Sequence, residues 1–323
     1  MVSNKSILIC GRVLITATRN RLYNVDVFGV LRHKYLTPAF AVKFGARAIR
    51  NCFRDQLAAI RQEGLDYMGT HPCVFTEFGI PYDMDNGAAY KSGDYTSQIL
   101  AMDANHFGME ASKNNFTLWN YTAANSHQWG DQWNGEDLSI YSTDDQPLPA
   151  PSLYKNKSSD SLSMSSGAET PSSTVSKAGD HIRLLRRVDE PESGHYRAAQ
   201  AYIRPTPIGT HGDLISYGFD LRGNEFKMAV SAKTAADESA PTEVFLPTYH
   251  FERDHFDVKV SAGKWDLDVD DYQGTVTQRL RWWNPAGEHT MSVKASSRRE
   301  GLSLGKVEDE GVLDRCMDAC GIM

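Results

Sequence analysis

Apolar and polar positions change their period several times along this chain, and each change predicts a different element. From about Ala39 to Met68, Phe40, Phe44, Phe53, Leu57 and Ile60 recur every three to four residues. That spacing predicts a helix, with Arg47, Arg50, Arg54 and Arg61 on an outer, solvated face. Gly64 and Gly69 punctuate its end, and His71-Pro72 leads into Cys73-Val74-Phe75-Thr76-Glu77-Phe78. A short aromatic and β-branched run, stopped by Gly79 and Pro81, reads as a strand, with His71 packing at its base. Gly93-Asp94-Tyr95 opens a second helix through Ile99, Leu100, Met102 and Phe107. It feeds a second strand, Phe116-Thr117-Leu118-Trp119-Asn120-Tyr121. Helix, strand, helix, strand is the rhythm of a parallel sheet or barrel.

Residues 1–38 carry no pattern that places them. After the second strand comes a long aromatic and polar loop, Asn125 to Ser139, and loops of that length are functional or disordered. Residues 156–178 hold nine serines and almost no large apolar side chain. Such a stretch cannot bury a core and reads as a flexible insertion. A short helix is expected from His195 to Ile203, ending at Arg204-Pro205. From Thr206 the texture is that of short alternating runs: Ile215–Leu221, Glu225–Ala232, Val244–Tyr249, Asp257–Val260, Lys264–Val269, Val276–Trp283 and Thr290–Val293. Strands at that spacing predict a small antiparallel sandwich. Of Trp282 and Trp283, adjacent on one strand, one should face the core. The last residues, 301–323, read as a loosely ordered charged tail.

Composition narrows the picture only modestly. Hydrophobic residues make up 41% and aromatics 10% of the chain, which rules out wholesale disorder. A net charge of −7 argues against a nucleic-acid partner. Five scattered cysteines make no disulfide framework, and Cys316 and Cys320 lack the partners of a zinc site. They fit a reducing compartment. With no apolar run long enough to span a bilayer, and with Arg12 interrupting the leader-like Ser6–Thr16, a cytoplasmic location is expected. Of the sequons at Asn4, Asn115, Asn120 and Asn156, the third lies beside Trp119, where a glycan would obstruct a site.

Candidate chemistry gathers at the two strand ends. Barrel strands present catalytic groups at their C-terminal ends. Here one strand delivers Glu77 and the next delivers Trp119. A carboxylate beside an indole suits a sugar, which needs a nucleophile and an apolar platform for its ring. In retaining glycosidases a second carboxyl group, about 5–5.5 Å from the nucleophile, protonates the leaving oxygen. The alternative for Glu77 is a solvated glutamate at a strand end. Asn125, His127, Trp129, Asp131, Trp133 and Asp137 on the long loop are candidates for lining sugar or aglycone subsites. Two carboxylates suffice for this chemistry, so neither a metal nor an organic cofactor is implied.

Three segments carry a family resemblance: Phe53 to Gly64, Phe75 to Asp83, and Trp129-Gly130-Asp131-Gln132-Trp133-Asn134-Gly135-Glu136-Asp137-Leu138-Ser139. Over residues 39–300 the chain resembles the fungal branch of glycoside hydrolase family 5. That branch is related to endoglycoceramidases and includes glucosylceramide- and steryl-glucoside-cleaving β-glucosidases. The resemblance implies the C-terminal part of a (β/α)8 TIM barrel at 39–204, with strands seven and eight, followed by a β-sandwich at 205–300. It makes Glu77 the nucleophile, Trp119 the platform on strand eight, and the 125–139 loop part of a glycolipid-facing rim. Membrane contact would be peripheral at most, through the substrate's lipid. The family's acid/base glutamate sits in an Asn-Glu pair on the fourth strand, and residues 1–70 contain none. A full barrel needs eight strands and about 250 residues, so the chain reads as the C-terminal portion of a longer enzyme, inactive alone. A non-catalytic glycolipid-binding or vestigial fragment is the alternative.

Overall fold

A computed structural model describes residues 23–69, 71, 74–133, 135–145, 195–272 and 275–296. The serine-rich stretch, the leader-like start, Cys316, Cys320 and the tail lie outside the described residues. β1 (Tyr23–Val25), in the region that carries no sequence pattern, pairs antiparallel with β2 (Val42–Phe44), in the stretch expected to be helical, and α1 (Val27–Leu31) lies between them. The long helix α2 runs Ala46–Met68, preceded by a 3-10 turn at Pro38–Ala41. The expected start near Ala39 is therefore corrected. Gly45, at a positive φ of 84°, breaks the chain between β2 and α2, so Phe40 and Phe44 belong to other elements and are about half exposed. Phe53 and Leu57 do face inward.

The arginine face of α2 is not uniformly solvated. Arg50 reaches Asp103 at 3.6 Å and lies 4.5 Å over the Phe107 ring. With Arg47, Tyr217, Arg222 and Lys227 it lines a cleft of about 720 Å³ that includes none of the predicted site residues. His71 is exposed, its Nδ1 2.6 Å from the Met68 carbonyl, and does not pack under the strand.

The strand β3 (Val74–Phe78) pairs in parallel with β4 (Asn115–Leu118), and α3 (Met84–Ser92) and α4 (Thr96–Ser112) intervene. Phe78 packs against Phe116 and His106, ring centres 4.8 and 5.3 Å apart, and so faces α4. Burial and the adjacent Arg204 charge hold the imidazole of His106 well below its ordinary pKa, so it packs as a neutral ring. The segment that opens at His195 forms a helix, α5, only over Ala199–Tyr202. Residues 195–198 are instead a turn, tied back by a bridge between Tyr196 and Tyr141.

Two four-stranded antiparallel sheets follow. Their members are β5 (Thr206–Gly209), β6 (Asp213–Asp220), β7 (Glu225–Ala232), β8 (Thr242–Phe245), β9 (Phe256–Val260), β10 (Lys264–Tyr272), β11 (Thr275–Trp283) and β12 (Gly287–Ala295). One sheet has the order β10-β11-β8-β5 and the other β6-β7-β12-β9. Period-two alternation buries Phe226, Met228, Val230 and Ala232 of β7, and Met291 and Val293 of β12. Trp282 is fully buried while Trp283 is partly exposed under Lys264. Pro247 halts β8 short of the expected Tyr249. β5 escapes a sequence reading because Pro207 lies within it, which an edge strand tolerates. One core cluster is continuous from Leu57, Phe78 and Met102 through Phe219 to Leu280 and Val293, so the sandwich packs directly on the helices.

Candidate active site

The parallel pairing fixes the relation of the two strand ends. Phe78 stands opposite Leu118, and the Trp119 N–H donates to the Phe78 carbonyl at 2.7 Å. Glu77 and Trp119 therefore leave neighbouring strands at the same end, on strands about 5 Å apart. Phe78 is turned to α4, and the pairing of the two strands shifts register between Phe75 and Phe78, the interval that contains Glu77. Its carboxylate is half-buried and has no hydrogen bond or ion pair among the described residues. Trp119 is also half-buried, and the Trp119–Asn120 peptide is cis. Close approach of the two exits explains Gly79. A β-carbon there would lie 2.0 Å from the Trp119 carbonyl oxygen.

The loop after β4 is held from beneath by a residue far along the chain. Arg197 is 1% exposed. Its Nη1 and Nη2 donate to both carboxylate oxygens of Asp137, at 2.7 and 2.6 Å, and Nη2 also donates to the Ser139 carbonyl. The guanidinium lies 4.2 Å over the Tyr82 ring, and Nε approaches Asp145 at 3.6 Å. Asn125 Nδ2 donates to Asp137 at 2.8 Å, and the Tyr90 hydroxyl donates to the same carboxylate. Burial by itself would raise the Asp137 pKa. The Arg197 hydrogen bonds and charge, with those from Tyr90 and Asn125, outweigh it and hold the carboxyl below its ordinary range.

The six loop candidates thus separate by position. Asn125 and Asp137 are buried around Arg197 and are occupied in holding the loop. Asp131, also buried, accepts from Asn120 Nδ2 at 2.9 Å and from the Trp133 N–H at 3.0 Å. His127 stacks on Tyr90 with ring centres 4.0 Å apart, and its Nε2 lies 3.0 Å from Asp145. Trp129 and Trp133, 66% and 59% exposed, are the two that present broad apolar surface outward. Arg197 itself escapes a reading of the sequence. One arginine in Tyr196-Arg197-Ala198-Ala199, beyond a serine-rich insertion, gives at best a faint signal. The sequence's one Asn-Glu pair, Asn224-Glu225, lies at the β6–β7 turn of the sandwich, away from both strand exits. Among the described residues no cluster of His, Cys, Asp and Glu is arranged to hold a metal, and no helix is long and apolar enough to cross a membrane.

Comparison with known proteins shows what the chain is similar to. Residues 204–294 match the family model described as the glycoside hydrolase family 5 C-terminal domain. Its relatives include a glucosylceramidase of Aspergillus fumigatus, 46% identical over 97% of this chain and 43% of that protein. An ergosteryl-beta-glucosidase of Saccharomyces cerevisiae is 35% identical over 98% of this chain and 43% of its own length. Sterylglucosidase 1 of Cryptococcus neoformans, known from crystal structures, superposes with a TM-score of 0.65 at 30% identity, over 86% of this chain and 36% of that one. The chain spans less than half the length of the relatives it matches.

Proposed function

We propose that this chain is the nucleophile-bearing part of a retaining β-glucosidase that cleaves the O-glycosidic bond of a glycolipid, glucosylceramide or a steryl glucoside. One observation carries the reading: Glu77, half-buried and without a partner among the described residues, leaves β3 beside Trp119 at the exit of β4. Glu77 attacks the anomeric carbon to form a glycosyl-enzyme, which water then hydrolyses, while a second carboxyl group serves first as acid and then as base. Trp119 carries the apolar face of the sugar ring. The exposed Trp129 and Trp133 form the rim that receives the lipid aglycone.

In this reading β3 and β4 are strands seven and eight of a (β/α)8 barrel. Support comes from their parallel pairing, since all-parallel sheets are covered on both faces by helices and further strands, and Val74 on β3 is 53% exposed. Names of the relatives support a glycolipid substrate. A second reading, glycolipid binding without turnover, draws on the outward-facing Trp129 and Trp133. Hydrolysis of a chromogenic β-glucoside by the natural polypeptide that carries this sequence, lost in Glu77→Gln, supports catalysis. Saturable binding of glucosylceramide with no hydrolysis supports the second reading.

A further inference from the structure

We propose that Arg197 is a positioning residue for the proposed reaction: it locks the exit of the Glu77 strand to the exit of the Trp119 strand. The inference rests on the glycosidase reading, but its geometry does not. Arg197 grips both exits. On the Glu77 side its guanidinium covers the Tyr82 ring, and the Tyr82 hydroxyl donates to the Arg197 carbonyl at 3.2 Å. On the Trp119 side the Arg197 N–H donates to the Ile140 carbonyl at 2.8 Å, while the side chain holds Asp137 and the Ser139 carbonyl.

Residues 137–140 then act as a strip between the two exits. The Tyr82 N–H donates to the Asp137 carbonyl at 2.6 Å. The Asn120 N–H donates to the Leu138 carbonyl at 3.1 Å, and the Ile140 N–H returns to the Asn120 carbonyl at 2.9 Å. Thr122 N–H donates to Ser139 Oγ at 3.0 Å. Through this strip Tyr82 and Asn120, which follow the nucleophile and the platform, keep one fixed separation. Lysine cannot replace the arginine, because an ammonium lacks the planar fork that meets both Asp137 oxygens and the Ser139 carbonyl together.

A second buried arginine supplies the control. Arg204 ties α4 to the sandwich and touches neither exit. In the natural polypeptide that carries this sequence, Arg197→Lys should speed amide hydrogen exchange in peptides covering 79–84, 118–123 and 136–142. It should also lower kcat on a chromogenic β-glucoside by about 100-fold, the scale of an ångström-sized misplacement, with a smaller change in KM. Arg204→Lys should lower the melting temperature and leave kcat and those peptides at their parental values. Asp137→Asn repeats the Arg197 test with a milder change should the lysine variant fail to fold. Unchanged exchange at both strand exits, or parental kcat in Arg197→Lys and Asp137→Asn, overturns the proposal. Failure of the glycosidase reading looks different: Glu77→Gln keeps its turnover, or the parental protein shows none. Exchange alone then decides whether Arg197 holds the two exits.

Discussion

Two buried arginines on one short segment do opposite kinds of work. Arg197 holds the loop and strand exits around Glu77 and Trp119, whereas Arg204 fastens α4 to the sandwich. Arg204 donates to both oxygens of Glu110 at 2.6 and 3.0 Å, to Asp103 at 2.7 Å and to the Phe219 carbonyl at 2.7 Å. Each cluster buries one arginine with two acids, yet their carboxylates respond differently. Asp137 receives both Arg197 nitrogens together with Tyr90 and Asn125, and its pKa falls. Glu110 is driven the other way by burial, which Arg204 and the Phe219 N–H only partly offset while Asp103 repels it. Burial is the largest influence on both carboxylates; the donors and charge around Asp137 outweigh it, and those around Glu110 do not.

The largest effect that separates the two regions is on turnover. Glu77→Gln should cost several orders of magnitude in kcat, as deletion of a covalent nucleophile does. It should leave the melting temperature unchanged, because Glu77 has no partner among the described residues to lose. Next come the arginines. Replacing either by alanine strands buried acids and should destabilise by about 3–5 kcal/mol in denaturant unfolding. Equal losses of stability, with turnover lost at Arg197 alone, sharpen the contrast; loss of turnover at both breaks it.

Acidification gives a smaller effect of opposite sign in each cluster. The Asp137 contribution is present above the carboxyl's unfolded pKa and is lost as pH falls through its lower folded value. Glu110 binds its proton more tightly when folded, so its contribution rises as pH falls through its raised value. Melting curves should therefore show the advantage of the parental protein over Asp137→Asn shrinking on acidification, and that over Glu110→Gln growing. The smallest effect on the fold belongs to the rim. Trp129→Ala and Trp133→Ala should change stability by less than about 0.5 kcal/mol, and should raise KM for a lipid-linked glucoside more than for a small aryl glucoside.

Much of this contrast is visible in the sequence on one side only. The strand exits are legible because Gly79 and Pro81 cut off an apolar run right after Glu77, and the sandwich because its runs alternate with period two. β1 and β2 are not, since three-residue strands are too short to show a period, and Phe40 and Phe44 fall by chance into register with the helix that follows. The brace is hidden for another reason. Arg197 and Asp137 lie 60 residues apart across a stretch that gives no structural cue, so nothing local marks either as a partner of the other. Loop residues with polar side chains read as ligands for a sugar until the arginine beneath them is seen.

Covalent trapping is the most direct test of Glu77 as the proposed nucleophile. The natural polypeptide that carries this sequence would be treated with a 2-deoxy-2-fluoro β-glucoside bearing a good leaving group, digested, and its peptides weighed. One added fluoroglucosyl group is expected on the peptide containing Glu77, absent in Glu77→Gln. A label on any other carboxylate, with Glu77 unmodified, would contradict that role.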